Sequence, residues 1–356
     1  MKKTILLFLG LTIAAGTFAQ QKQAENVVIF TLDGMRWQEI FGGADSTLIR
    51  NFCSDTSEVR KKWWRETAAE RRAELFPFLW SEIVTKGQLY GNRAKGSYMN
   101  VANPYKFSYP GYNEIFTGYP DTAVNSNDKI ANKNVNVLEF INQQKGYQGK
   151  VAAFTTWDCF PYILNKERSG LYVNTDNDTL AGNAIALQLT NDFQHLAPRV
   201  INVRPDVITY IAAREYMKVS KPRVLYVAFD ETDDFAHDGL YDQYLRSAHA
   251  EDAMIADMWK LIQSTPGYAN NTVLLITCDH GRGDKIKKQW RDHGANVEGA
   301  DEIWMAAIGP RIDAKGDNTQ GQVCQKQIAA TIAAILGFDF KAAHPVAAPV
   351  NSILKK

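Results

Sequence analysis

Acids and histidines gather at a few points of the chain, and most of them directly follow an apolar run. Residues 27–32 lead into Asp33-Gly34. Residues 224–229 lead into Asp230-Glu231-Thr232-Asp233-Asp234-Phe235-Ala236-His237, and residues 273–278 lead into Asp279-His280-Gly281. A further His stands in Asp292-His293-Gly294, ahead of the last apolar run at 303–308. One Asp after a strand is an ordinary cap or turn residue. Taken together, Asp33, Asp233, His237, Asp279, His280 and His293 offer the mixed carboxylate and imidazole donors that suit Zn²⁺ or a similar divalent ion. Asp233 and His237 are four residues apart, so one helical turn puts both on one face. Asp279 and His280 are adjacent, so their side chains diverge and can serve different ions.

The nucleophile candidate is Ser108, in Phe107-Ser108-Tyr109-Pro110-Gly111-Tyr112-Asn113-Glu114-Ile115-Phe116-Thr117-Gly118. Pro110 suits the first turn of a helix and Gly118 suits its C-terminal cap. Ser108 then lies at the helix start, beside unpaired N–H groups and the positive end of the helix dipole, which is a natural anion site. The plain alternative is a Ser that only caps the helix. A free Ser hydroxyl is a weak nucleophile at neutral pH, and direct coordination to a metal would favour its alkoxide.

Five short apolar runs, at 27–32, 151–156, 224–229, 273–278 and 303–308, must position these groups. Several lack polar alternation, as expected of strands buried on both faces of a mainly parallel sheet. Helical patterns lie between them at 137–144, 184–196, 206–217, 241–263 and 325–336. Strand and helix alternating with long crossovers predict a three-layer α/β sandwich. In such a sheet ligands bind beyond the carboxyl ends of the strands, which is where the acids and histidines stand. Two stretches, 42–80 and 160–205, look like insertions that could cap the site.

Lys+Arg number 40 and Asp+Glu 39 in 356 residues, so no nucleic-acid-binding basic surface is expected. Four Cys without a CxxC pair exclude a Cys-rich zinc module. Lys2-Lys3, an apolar run from Ile5 to Ala15 and small residues up to Ala19 read as a signal peptide over 1–19. Residues 20–356 would then form a single periplasmic or secreted domain without a stable membrane anchor. Cys53 and Cys159 could pair in that compartment, whereas Cys278, inside an apolar run, reads as a buried thiol.

The ordered set Asp33, Ser108 with Pro110 and Thr117-Gly118, Asp233-x3-His237, Asp279-His280-Gly281 and His293 resembles the alkaline phosphatase superfamily. The resemblance is to its type I phosphodiesterase/nucleotide pyrophosphatase branch, and it runs from about residue 26 to 340. It implies an alkaline-phosphatase-like fold and two divalent ions, usually zinc. Asp33, Ser108, Asp279 and His280 would hold one, and Asp233, His237 and His293 the other. It further implies hydrolysis of a small-molecule phosphate ester through a phosphoseryl intermediate on Ser108. Relatives place an Asn beyond the nucleophile helix against a non-bridging phosphate oxygen, and Asn127 is the better candidate, with Asn125 the alternative. Many branch members carry Thr as nucleophile and Asn-His after the Pro, where this chain has Ser108 and Gly111-Tyr112. Sulfatases favour an Arg four residues after the modified residue, and Tyr112 stands there, so sulfatase-like or phosphoryl-transferase activity ranks second. Lys166-Glu167-Arg168 has the form of a pair that some monoesterases use to clamp phosphate, although it lies far from its strand. Trp157 and Phe160 are candidates for stacking on a leaving group.

Overall fold

The computed structural model describes residues 24–199, 203–317 and 319–355, so the signal peptide expected over 1–19 lies outside the described residues. The described residues form nine strands: β1 Asn26–Leu32, β2 Gly87–Tyr90, β3 Ser97–Asn100, β4 Val151–Thr155, β5 Tyr172–Thr175, β6 Val224–Phe229, β7 Thr272–Thr277, β8 Met305–Ile308 and β9 Gly321–Cys324. Seven of them form one sheet in the order β2-β8-β7-β1-β6-β4-β5, and β3 and β9 form a separate pair. β1 runs parallel to β6 and β7, and β4 runs parallel to β6 and β5. Only β8 opposes its neighbours. Helices flank the sheet, so the expected α/β sandwich with a mainly parallel sheet is the architecture found.

Every residue of β1, β4, β6 and β7 is buried, which explains their uninterrupted apolar sequences. Because β7, β1 and β6 are adjacent and parallel, their carboxyl ends emerge side by side. Asp279, Asp33 and the acidic stretch from Asp230 therefore share one sheet edge. The five apolar runs correspond to β1, β4, β6, β7 and β8. The other four strands have only four residues each, and β3 and β9 expose part of their length. β5 falls inside 160–205, so that segment completes the sheet edge as well as adding the helix Ile185–Leu196.

The 42–80 segment folds into the helices Ser46–Phe52, Thr56–Trp63 and Ala68–Leu75, and it lies along the long helix Tyr241–Ser264. Ser54 donates to Asp242, Arg246 pairs with Glu58, and the Phe78 and Leu79 amides donate to the two oxygens of Asp252 at 2.8 and 3.1 Å. All four cysteines are free, and the Cys159 thiol points to the Asn127 carbonyl.

Burial pushes Asp252 up to about 7 despite its two backbone donors. A carboxyl raised in the folded state contributes stability that is complete below its unfolded value and is lost as pH rises through about 7. Asp252→Asn removes this titration. Urea unfolding at pH 5 and pH 8 should show the wild type losing about 2 kcal/mol more than the variant between those conditions. Equal losses in the two proteins would disprove the assignment.

Candidate metal centre and nucleophile

Ser108 is the first residue of the helix Ser108–Thr117. Extended Phe107 precedes it, and Gly118 closes the helix in the left-handed region at φ 71°. Two features fix this helix. An added Cβ on Gly111 would lie 2.5 Å from the Asp279 carbonyl oxygen, so only glycine lets the helix approach the end of β7. The buried Glu114 carboxylate accepts the amides of Ala102, Asn103 and Lys326. Among the described residues the Ser108 hydroxyl bonds to no amide of its own helix. Its Oγ lies 3.4 Å from His280 Nε2.

Around that nitrogen stand the acids of neighbouring strand ends. His280 Nε2 is 3.4 Å from Asp33 Oδ1, 3.3 Å from Asp279 Oδ2 and 3.7 Å from Asp233 Oδ1. Asp33, Asp279 and His280 bring one donor atom each within 4.8 Å of one another, and Asp233, His280 and His293 do the same. His237 joins the second group, with Nε2 3.0 Å from His293 Nε2 and 3.2 Å from Asp233 Oδ2. All six sequence-derived ligands and Ser108 thus converge. His280 stands between the groups rather than in the first alone. Asp230, Asp234 and Asp238 belong to neither trio.

The donor chemistry fits divalent cations. Asp33 Oδ1, Asp279 Oδ2 and His293 Nδ1 are buried without a hydrogen-bond partner, which is costly for polar atoms unless something else satisfies them. His280 Nδ1 donates to the Gly281 carbonyl at 3.0 Å, which fixes the ring with Nε2 facing the acids. Burial, followed by the charge of Asp233, pushes Asp33 well above the carboxylate range. Burial and then Asp33 push Asp279 up to about 8. Burial and then His280 push His293 down to about 2, which keeps it neutral. Crowded carboxylates, with His293 held neutral among them, form a site that can take up positive charge.

On the substrate side, Asn127 Oδ1 accepts the Tyr109 amide at 3.0 Å. This anchors Asn127 at the start of the Ser108–Thr117 helix and leaves its NH₂ group free to donate. Asn125 instead lines a neighbouring cavity of about 170 Å³ with Tyr109 and Ile130. Trp157 is half-buried. Phe160 is only 1% exposed and packs against Tyr112 at 4.6 Å between ring centroids, so it supports the helix from below and offers no open stacking face. Arg168 is no phosphate clamp either. Its guanidinium binds Glu139 and the carbonyls of Asn132, Lys133 and Asn134. Lys166 donates to the Val173 carbonyl. His249 and His344 bind backbone carbonyls away from the site.

Two residues of the site carry no signal in the sequence. Tyr112 is fully buried and donates to Asp33 Oδ2 at 2.8 Å, which leaves Oδ1 facing His280. Arg282, also buried, binds the Asp233 carboxylate and the carbonyls of Asp233, Gly34 and Arg291. Burial alone would raise Asp233, but Arg282, followed by His237, holds it well below the carboxylate range. Gly34, at φ 57°, leaves the room Arg282 needs: a Cβ there would lie 2.8 Å from the guanidinium Nε. Tyr112→Phe should weaken divalent-ion binding about 10- to 100-fold with little change in fold, as removal of a ligand's outer hydrogen bond commonly does. Chelator competition would measure it, and an unchanged affinity would show that the hydroxyl does not orient Asp33.

A mainly parallel sheet, a serine at a helix start and two interlocking acid–histidine groups at its strand ends accompany a match to a hydrolase family of the alkaline phosphatase superfamily. Within it, the chain belongs to the type I phosphodiesterase / nucleotide pyrophosphatase family, whose model matches residues 40–297. Solved structures with the same fold include a protein of the alkaline phosphatase superfamily from Vibrio parahaemolyticus (14% identity, TM-score 0.55), covering 90% of this chain and 68% of that one. Wild-type alkaline phosphatase PafA matches at 11% identity and TM-score 0.64, over 94% of this chain and 99% of that one. A 2-O GAG sulfatase matches at 12% identity and TM-score 0.54, over 93% and 72%. No curated protein matches the chain in sequence.

Proposed function

We propose that the protein is an exported two-metal phosphodiester hydrolase with Ser108 as nucleophile. The observation that carries this reading is the Ser108 hydroxyl, uncommitted at a buried helix start and 3.4 Å from His280 Nε2. Asp33, Asp279 and His280 would hold one ion, most simply zinc, and Asp233, His237 and His293 the other. Bound there, the ions supply the positive charge that stabilises phosphoryl transfer. The helix start and the Asn127 NH₂ group orient the non-bridging oxygens, and Trp157 borders the leaving group. A Ser108 Oγ–P bond forms as the ester P–O bond breaks. Water then cleaves the phosphoseryl ester and frees the serine.

A diester is favoured over a monoester because three basic groups of this region are committed elsewhere. Lys106 pairs with Asp301, Lys129 with Asp158 and Arg168 with Glu139. A terminal phosphate would need its second charge neutralised, and a diester carries only one. Tyr112, bonded to Asp33, occupies the position where sulfatases favour an Arg, so Ser108 stays a serine. The near-balanced charge of the chain agrees with a small-molecule substrate rather than a nucleic acid. The basic, apolar and small-residue order of 1–19 supports export, with residues 20–356 as one catalytic domain. Among the described residues no helix is long and apolar enough to cross a membrane. Rates on an aryl phosphodiester, an aryl phosphate and an aryl sulfate, with zinc analysis, test the reading. The diester should be fastest; a faster monoester would refute the diester preference, and a faster sulfate would refute the phosphohydrolase.

A further inference from the structure

Two helices near the site are capped by each other. Asp206 opens the helix Asp206–Ser220, and Glu231 opens the helix Glu231–His237, which carries Asp233 and His237. The residues before them, Pro205 and Asp230, give no side-chain cap. The caps come from across the gap. Asp206 Oδ1 accepts the Asp230 amide and Oδ2 the Glu231 amide, each at 3.0 Å. Glu231 Oε1 accepts the Asp206 amide at 3.0 Å in return. Two hydroxyls brace this clasp. Thr156, directly after β4, donates to Asp206 Oδ1 at 2.5 Å, and Ser247 donates to Glu231 Oε2 at 2.8 Å.

A helix of seven residues is marginal on its own, and buried amides without acceptors are costly. The register of this short helix, and with it the placement of two ligands, therefore depends on groups outside it. We infer that Asp206 is a positioning residue for the second ion: its carboxylate, braced by Thr156, fixes the start of the helix that presents Asp233 and His237. Asp206 belongs to neither ligand group and would act only through the helix. The inference rests on the reading of Asp233, His237 and His293 as ligands, and such ligands tolerate errors of only about 0.5 Å.

The test is zinc titration of the ion-free full-length chain against a chromogenic chelator, with His237→Ala marking the step that belongs to the second group. Asp206→Asn preserves shape but puts an amide nitrogen where one backbone N–H needs an acceptor. It should weaken the second step about tenfold or more and leave the first within about twofold. Thr156→Val should produce a smaller loss in the same step, and Thr156→Ser, which keeps the hydroxyl, should bind like wild type. Thr156→Val carries the test if Asp206→Asn does not fold. Wild-type affinities in Asp206→Asn, or equal weakening of both steps in Thr156→Val, would overturn the clasp. A wild-type chain that takes up no zinc fails the metal reading itself. A wild type that binds two ions beside an unaffected Asp206→Asn overturns the clasp alone.

Discussion

Ser108→Ala should lose at least about 10³-fold in kcat on an aryl phosphodiester while binding zinc as the wild type does. The size of the loss follows from chemistry, because the variant has no oxygen with which to form the covalent intermediate. The silence elsewhere follows from structure. Among the described residues, Ser108 Oγ reaches only His280 Nε2, at 3.4 Å. The helix is held instead by Glu114 and by the close approach of Gly111 to Asp279. Stability should therefore stay within about 1 kcal/mol of wild type. Stopped-flow and steady-state rates, together with thermal unfolding, measure both halves. A variant with full turnover would rule Ser108 out as the nucleophile. A variant that is inactive because it unfolds would show that the hydroxyl supports the fold instead.

What the sequence conveyed about this site follows a physical line. The buried strands β1, β4, β6 and β7 need apolar residues on both faces, so they appear as continuous runs. Their ends then mark where polar residues must emerge, and Asp33, Asp233, His237, Asp279 and His280 follow β1, β6 and β7, whereas His293 comes from the stretch before β8. Edge strands such as β5, with Asn174 and Thr175 in only four residues, leave no such trace. Groups that support the ligands are equally silent. Tyr112 meets Asp33 across 79 residues and Arg282 meets Asp233 across 49. Nothing local in either segment announces the pairing. Phe160 shows the converse failure. An aromatic just past a strand end suits a stacking platform or a core residue alike, and only the packing of Tyr112 and Tyr226 around it decides for the core. Arg168 is similar: its pattern suggested a phosphate clamp, but the loop at 132–134 takes up its donors.

Asp279→Asn should abolish tight binding of the ion shared by Asp33, Asp279 and His280 and reduce turnover by about 10³-fold or more. The same change should make the ion-free protein more stable at alkaline pH. Both effects have one cause. Asp279 is fully buried, its Oδ1 accepts the Gly34 amide at 3.0 Å, and its Oδ2 has no hydrogen-bond partner. Burial, then the charge of Asp33, pushes it up to about 8. In the ion-free chain a carboxyl raised in this way contributes stability that is complete below the unfolded value near 3.8 and is lost as pH rises through about 8. Asparagine keeps the acceptor for Gly34 and never ionises, so the ion-free variant should escape that loss, worth a few kcal/mol at most by pH 9. A bound cation reverses the balance, because it needs the charge that the ion-free fold disfavours. Chelator-treated wild type should accordingly lose stability between pH 6 and pH 9, and added zinc should restore it. Asp279→Asn should stay flat over that range and respond weakly to zinc. A variant that keeps both zinc ions and near-normal rates would remove Asp279 from the ligand set. An ion-free wild type whose stability does not change over this pH range would show that Asp279 is not destabilised by its surroundings. Such opposed effects of one residue on stability and on metal affinity are expected where a fold holds unfavourable charge in place for function.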